Sequence, residues 1–243
     1  MSNPYDTMLD ACCKKHEEKA TVRQASKAVL AGLFIAIGGM MLLLVKSDTG
    51  LGASVSAMMS GICFSVGLFA VFTCGGELFT GDCLMVIGLR ERRYTLVDMT
   101  YTLMHVWVWN YVGAIVATWL FNACGLNAQL AEGVARVAEA KSSMPMTDLF
   151  ARSVMCNFLV CMSVWISSQA DSVGEKLVAA MLPVAAFVAL GFEHSIANMF
   201  LYLVTDIDMA VERLLVCTAG NVIGGALLFG GLQTCAATRK EDA

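Results

Sequence analysis

The feature that most constrains this chain is the length of its stretches without acidic or basic side chains. Five stretches can each hold a helix of about 20 residues, the length that crosses the hydrocarbon core of a bilayer. They cover residues 28–45, 49–76, 99–131, 153–170 and 214–238. Charged residues make up 15% of the chain, against about 25% in soluble domains. We therefore predict an all-α integral membrane protein.

At two places in the chain, a glutamate close to a glycine interrupts the apolar sequence. Glu77 separates stretch 49–76 from the apolar residues 78–89, and Glu193 separates two stretches that are each too short to span alone. Irregular backbone at membrane depth is tolerated only where protein covers it or where it lines a cavity. We predict six transmembrane helices, of which the second and fifth are broken, with halves at 51–74 and 78–89 and at 177–190 and 195–205.

The two breaks belong to a repeated pattern. Asn110 follows Glu77 by 33 residues in WNYVGA, and Asn221 follows Glu193 by 28 residues in GNVIGGA. Because each repeat holds an odd number of spans, we expect the two three-helix repeats to be inverted in the membrane. Interrupted helices at corresponding positions of inverted repeats are typical of a transport site. The predicted repeats cover about 27–123 and 145–237.

The distribution of lysine and arginine predicts the orientation. With the N-terminus inside, eleven of the 16 basic residues lie in cytoplasmic segments, as the positive-inside rule requires. We expect an amphipathic cytoplasmic helix over 1–26, a transmembrane channel domain over 27–237 and a cytoplasmic tail over 238–243. The protein is then a multi-pass protein of the cytoplasmic (inner) membrane. No basic stripe with interleaved aromatic residues is present, so no nucleic-acid partner is expected.

Polar residues at the second break indicate a solute site. His194 begins the half-helix there, followed by Ser195 and Asn198. The positive potential at a helix start favours the neutral imidazole, and we interpret His194 as functional. We interpret Glu77 and Glu193 as structural residues that accept hydrogen bonds from backbone N–H groups freed by the breaks. Direct contact with an ion is the alternative for both.

Apolar residues near the breaks predict constrictions. Phe64 and Leu68 lie one helical turn apart, Phe79 lies within the first break, and Phe187 precedes His194 by seven residues. Apolar rings on either side of one histidine would block hydrated ions and admit small neutral species.

Three motifs closely resemble those of the formate/nitrite transporter family, and the similarity runs from Lys27 to about Gly231. They are GELFTGD (76–82), CNFLVC (156–161) and GFEHSIANMF (191–200). The resemblance implies an aquaporin-like protomer, a homopentamer with one pore in each protomer, and passage of small monovalent weak-acid anions such as formate, nitrite, acetate, lactate and hydrosulfide. Asp82 departs from the family pattern, in which a neutral or histidine side chain is common at this position.

The resemblance also implies roles for individual residues. His194 corresponds to the central pore histidine and Thr80 to the threonine that faces it. The constriction residues are Phe64, Leu68, Phe79 and Phe187, and the lysines that attract anions at the vestibules are Lys27 and Lys141. Further pore residues are Asn157, Glu193 and Asn198, and the structural residues at the breaks are Gly76, Glu77, Gly81 and Gly191.

These inferences lead to a functional hypothesis. We expect a pH-dependent channel or transporter for small weak-acid anions, formate or nitrite foremost, with a hydrosulfide channel of the same family as the alternative. Lysines concentrate the anion, and an ion in an apolar constriction is costly unless its charge is neutralised. His194 would donate a hydrogen bond or a proton to the anion, so that transport accelerates as pH falls. Its partners are anions, protons, membrane lipid and four further copies of the chain.

Two other classes of protein remain as alternatives. A membrane redox protein needs paired axial ligands on facing helices, but only His105 and His194 lie in predicted spans, and the ten cysteines form no C-x-x-C pair. A neutral-solute pore would carry paired N-P-A breaks, where this chain has LFTG and SIAN. We expect no cofactor, no metal and no enzymatic activity.

Overall fold

The computed structural model describes residues 3–237, and over that range the chain forms helices and no strands. A 3₁₀ turn covers Cys83–Met85, and a π-helical segment covers Ile223–Gly230. The predicted tail, 238–243, lies outside the described residues. The helices are α1 (Pro4–Glu17), α2 (Val22–Ser47), α3 (Ala53–Cys74), α4 (Phe79–Asp82), α5 (Val86–Arg90), α6 (Leu96–Ala123), α7 (Leu126–Gln129), α8 (Ala131–Ser142), α9 (Met146–Ser167), α10 (Val173–Ala189), α11 (Ser195–Thr205), α12 (Ala210–Val222) and α13 (Gly231–Ala236).

Within residues 3–237, five helices are long and apolar enough to cross a membrane. They are α2, α3, α6, α9 and the continuous run from α12 to α13. Small residues let these helices approach closely, as is usual between membrane helices. A Cβ atom on Gly32 of α2 would lie 2.1 Å from the Asn110 carbonyl oxygen of α6, and one on Gly61 of α3 would lie 2.7 Å from the Ala185 carbonyl oxygen of α10.

Two helices end and restart at the positions of the two predicted breaks. α3 ends at Cys74 and α4 begins at Phe79, while α10 ends at Ala189 and α11 begins at Ser195. α10 has 17 residues and α11 has 11, so each is shorter than the roughly 20 residues of a full crossing.

Both breaks begin with the same C-terminal cap. Gly75 and Gly191 adopt the left-handed conformation, with φ of 75° and 68°, which a residue without Cβ reaches without strain. The next amide in each case donates back to the last turn, from Gly76 to the Val71 carbonyl and from Phe192 to the Phe187 carbonyl, as in a Schellman motif. At the first break the left-handed residue is Gly75, one position before the predicted structural residue Gly76.

The N-terminal segment also differs from the prediction of one helix over 1–26. α1 ends at Glu17, Ala20 has a φ of 56°, and α2 begins at Val22 behind a Thr21 cap that accepts from the Gln24 amide. α1 buries Met8 and Cys12 against the segment that follows the first break, where the Cys12 thiol donates to the Leu84 carbonyl.

The connection between α6 and α9 is helical, which the sequence analysis did not predict. α8 packs on the end of α2, where the Gly133 amide donates to Ser47 Oγ over 3.1 Å. A Cβ atom at Gly133 would lie 2.2 Å from the Leu43 carbonyl oxygen. This close contact fixes the position of α8, which carries Arg136 and Lys141.

Candidate functional site

The backbone groups freed by the first break are bound by one asparagine side chain. Asn110 Oδ1 accepts from the Phe79 amide over 3.0 Å. Its Nδ2 donates to the carbonyl oxygens of Ala28 and Glu77 over 2.8 and 2.9 Å. Asn110 is fully buried, and an unpaired backbone group at such a position would be costly.

The second break is bound in the same way by Asn221. Its Oδ1 accepts from the Ser195 amide over 2.8 Å, and its Nδ2 donates to the carbonyl oxygens of Ser153 and Glu193 over 2.7 and 3.0 Å. The two asparagines of the repeated N-x-x-G pattern therefore have equivalent contacts. This equivalence pairs Glu77 with Glu193.

Because the asparagines bind the backbone, the carboxylates of the breaks are free for lysines. Glu77 and Asp82 both contact Lys15 Nζ of α1, with 2.7 Å between Nζ and Asp82 Oδ1. We call these three residues the Lys15 cluster. Burial would lower the pKa of Lys15, but Asp82 and Glu77 outweigh it and hold that pKa above its usual value.

The Lys141 cluster, consisting of Lys141, Glu193 and Asn198, is the counterpart at the second break. Lys141 Nζ lies 2.7 Å from Glu193 Oε2 and donates over 2.7 Å to Asn198 Oδ1. Asn198 Nδ2 donates to the same Glu193 oxygen over 2.8 Å. We expected Glu77 and Glu193 to accept hydrogen bonds from freed backbone amides. Their carboxylates bind lysines instead.

His194 lies where the two breaks meet. Its Nε2 is 2.9 Å from Thr80 Oγ1, and its Nδ1 accepts from the Ala197 amide over 3.0 Å as the N-cap of α11. An imidazole nitrogen that accepts carries no proton, so the proton of the neutral ring lies on Nε2 and is donated to Thr80. The Thr80 hydroxyl then has its own proton to offer to a solute.

The four apolar residues predicted as constrictions are buried, and Phe187 contacts His194 directly. Phe64, Leu68, Phe79 and Phe187 are each no more than 3% exposed. The Phe187 ring stacks on His194 with centroids 6.0 Å apart and meets Phe64 edge-on, also at 6.0 Å.

Two separate cavities lead towards this pair. The Lys141 cavity has a volume of about 520 Å³ and is lined by His194, Phe64 and Phe187 among others. The Lys15 cavity, of about 270 Å³, is lined by Lys15 and Asp82 among others. α3, α9 and α10 each line one cavity near one end and the other cavity near the opposite end. The cavities therefore lie at opposite ends of these helices.

Three other residues predicted for the site, Asn157, Gly81 and Lys27, have contacts of their own. Asn157 is buried on α9 and donates to the Asn221 carbonyl over 2.6 Å. Gly81 packs on α9, where a Cβ would lie 3.0 Å from Val164 Cγ2. Lys27 pairs with Glu18 at 2.6 Å and lines neither of the two cavities. The lysine that contacts Glu77 is Lys15 instead.

Neither the role of Lys15 at the site nor the binding of the broken backbone by the two asparagines was predicted from the sequence. One signal for the clusters is present in the sequence: a residue able to bind lysine follows each glutamate by five positions, Asp82 after Glu77 and Asn198 after Glu193. Within residues 3–237, no three His, Cys, Asp or Glu side chains are arranged to hold a metal ion.

Comparison with known proteins places this geometry in context. A family model described as Formate/nitrite transporter matches residues 3–235. The formate channel FocA of Escherichia coli (strain K12) is 31% identical, covering 99% of this chain and 98% of FocA. A solved FNT family ion channel superimposes with a TM-score of 0.89 at 25% identity, covering 98% of this chain and 100% of that one. A pentameric formate channel with formate bound superimposes with a TM-score of 0.75 at 26% identity, covering 90% and 98%.

Proposed function

Because the chain belongs to the formate/nitrite transporter family, we propose that it forms a homopentamer in the cytoplasmic membrane and conducts small monovalent weak-acid anions, formate or nitrite foremost. The observation that carries this proposal is the contact between Thr80 Oγ1 and His194 Nε2, buried between two cavities that each contain a lysine. The similarity to a pentameric formate channel with formate bound supports both the anion and the pentamer.

The proposed protomer crosses the membrane six times in two inverted repeats. The second crossing consists of α3 with the segment from α4 to α5, and the fifth consists of α10 with α11. The matching contacts of Asn110 and Asn221 support this pairing. The positive-inside bias puts α1 and the Lys15 cavity on the cytoplasmic side, so the Lys141 cavity faces outward.

Conduction begins with electrostatic attraction. The lysines that line the Lys141 cavity, Lys46 and Lys141, raise the local anion concentration, an effect that salt weakens. Between the cavities the path narrows to Phe64, Phe187 and the Thr80–His194 pair, where an anion would lose its hydration. The anion is therefore most stable there as the neutral acid or with its charge bound by strong hydrogen-bond donors.

The donor arrangement at His194 favours a particular division of roles. Proton release from the neutral imidazole would leave an anionic ring in an apolar site, so His194 acts through its Nε2–H bond to Thr80. Thr80 in turn donates its hydroxyl proton in a hydrogen bond to the anion. The proton that neutralises the anion comes from solution, and transport accelerates as pH falls because more of the solute is then protonated.

Uptake into proteoliposomes tests this proposal. His194→Phe and Thr80→Val remove the donor chain that binds the anion, and we expect each to lower formate uptake strongly at both pH 7 and pH 5. Thr80→Ser keeps the hydroxyl and serves as the matched control, with uptake close to that of the parent protein. Unchanged uptake by His194→Phe at both pH values would overturn the role of His194.

The same assay separates the alternative solutes. Competition between formate, nitrite and hydrosulfide ranks the anions, since a preferred anion suppresses uptake of the others. Glycerol swelling much faster than formate uptake would favour a neutral-solute pore. A visible absorption band in the purified protein would favour a redox protein.

A further inference from the structure

The Lys141 cavity contains more positive charge than one transported monovalent anion requires. Four cationic side chains line it, against a single carboxylate, that of Glu193. The four are Lys46, Arg136, Lys141 and Arg152. They come from three different helices, α2, α8 and α9, so the fold brings them to one cavity.

Only part of this positive charge is neutralised locally. Lys141 is paired with Glu193, and Arg136 Nε contacts Glu132 Oε1 at 2.9 Å. That second pair is exposed, with 41% and 54% of the side chains accessible, and exposed pairs contribute little. Neither Lys46 nor Arg152 has a carboxylate within salt-bridge distance among residues 3–237. Arg152 donates to the Gly191 carbonyl over 3.1 Å and keeps further N–H groups free.

The Lys15 cavity provides an internal contrast. It is about half as large and is lined by two lysines, Lys15 and Lys176, and by Asp82. Lys15 is bound by both Asp82 and Glu77. Lys176 is therefore the one cation lining that cavity without a carboxylate partner among the described residues.

We propose that the Lys141 cavity is a binding site for small divalent oxyanions such as sulfate, and that a bound dianion blocks the pore from that side only. A divalent oxyanion can engage two guanidinium or ammonium groups at once, and Arg forms bidentate contacts with such ions. A single proton does not neutralise sulfate, so the dianion cannot pass the apolar rings of Phe64 and Phe187. It therefore remains bound where a monovalent weak acid would move on.

This inference rests on the proposed function for its flux readout and for the assignment of the Lys141 cavity to the outer side. Binding itself does not depend on either point. Calorimetric titration of the purified protein with sodium sulfate therefore tests the site independently of transport. If formate is not conducted but sulfate still binds, the proposed function fails and this site stands.

The flux experiment compares sodium sulfate with sodium chloride at the same ionic strength, so that general screening affects both. We expect sulfate to slow formate uptake severalfold more than chloride does. The double variant Lys46→Gln/Arg136→Gln should lose most of this block and most of the sulfate heat. Arg136→Lys keeps the charge and should retain the block, and Lys176→Gln, in the other cavity, should leave it unchanged.

The single variants Lys46→Gln and Arg136→Gln keep the test possible if the double variant does not assemble. Each should weaken sulfate binding, with basal formate uptake measured alongside. Three results would overturn the proposal: sulfate that acts no more strongly than chloride, a block that survives the Lys46 and Arg136 substitutions, or a block relieved by Lys176→Gln.

Discussion

The Lys15 and Lys141 clusters occupy equivalent positions at the two helix breaks but differ in charge. Each places a lysine between a glutamate and the residue five positions later, which is Asp82 in one cluster and Asn198 in the other. With the carboxylates ionised, the Lys15 cluster carries one net negative charge and the Lys141 cluster carries none. Only the second cluster has an amide that donates to its own glutamate.

The difference shows how the two halves can diverge in charge without changing their backbone. Asn110 and Asn221 satisfy the broken backbone in both halves. The carboxylates and lysines are therefore not needed to hold the breaks open, and their charges can vary. The lysines also come from different places, Lys15 from the docked helix α1 and Lys141 from α8.

The largest effects should follow from substituting Asn110 and Asn221, the asparagines that bind the backbone in the same way at both breaks. Asn110→Leu leaves the Phe79 amide and the Glu77 carbonyl without their partner, and Asn221→Leu does the same to the Ser195 amide. Each unsatisfied buried group costs about 1–3 kcal/mol. We expect both variants to lose the assembled protein or to melt roughly 10 °C lower. Melting curves in detergent measure this loss, with Asn122→Leu at an exposed position of α6 as the control. Tolerance of one substitution but not the other would show that the two breaks are not equivalent.

The next effect tests the difference in charge. Lys15→Met leaves two carboxylates side by side, with side chains 7% and 1% exposed, whereas Lys141→Met leaves Glu193 with its Asn198 donor. Removing one member of a buried pair costs about 3–5 kcal/mol, and undocking of α1 relieves that cost. Hydrogen exchange should therefore show loss of protection in α1 for Lys15→Met. Lys14→Met, at the exposed neighbouring position, should keep that protection. Equal protection of α1 in Lys15→Met and Lys14→Met would contradict the role of Lys15.

Substituting Asp82 or Asn198, the residues five positions after each glutamate, should change transport more moderately. Asp82→Asn removes the net negative charge of the Lys15 cluster, and we expect formate uptake to rise about two- to tenfold. The increase should shrink at high salt, because salt screens the attraction. The reciprocal Asn198→Asp should lower uptake. A fall in uptake with Asp82→Asn would mean that Asp82 is needed to position Lys15.

The sequence was sufficient for the breaks because their signals are strong and local. A glutamate between apolar stretches and a nearby glycine identify both positions, and the family motifs identify His194 and Thr80. The lysine partners were harder to find because their contacts are distant in sequence: Lys15 and Glu77 are 62 positions apart. Hydropathy alone also does not reveal that α8 packs on α2, since that contact depends on a glycine at position 133.

A smaller effect distinguishes Lys15 from Lys27, the lysine that the resemblance favours for the same vestibule. Lys27 and Glu18 are 27% and 29% exposed, and a pair of this kind contributes less than about 1 kcal/mol. Lys27→Gln should therefore change formate uptake less than twofold or so, far less than Lys141→Met. Uptake reduced to the level of Lys141→Met would support the predicted role of Lys27 in attracting anions at the vestibule.

The smallest expected effect concerns pH on the alkaline side. Lys15 and Tyr5, both on α1, have raised pKa values, Tyr5 to about 12 through burial and its hydrogen bond to Glu91. A group whose pKa is raised by folding contributes its full stability below the unfolded value, about 10 for tyrosine and 10.4 for lysine. That contribution is lost only as pH rises through the folded value. Hydrogen exchange in α1, corrected for its intrinsic pH dependence, should therefore show the same protection from neutral pH up to about pH 9.5. Release of α1 within that range would show that the Lys15 cluster does not hold the helix, and the contrast between the two clusters would then lie in Asp82 alone.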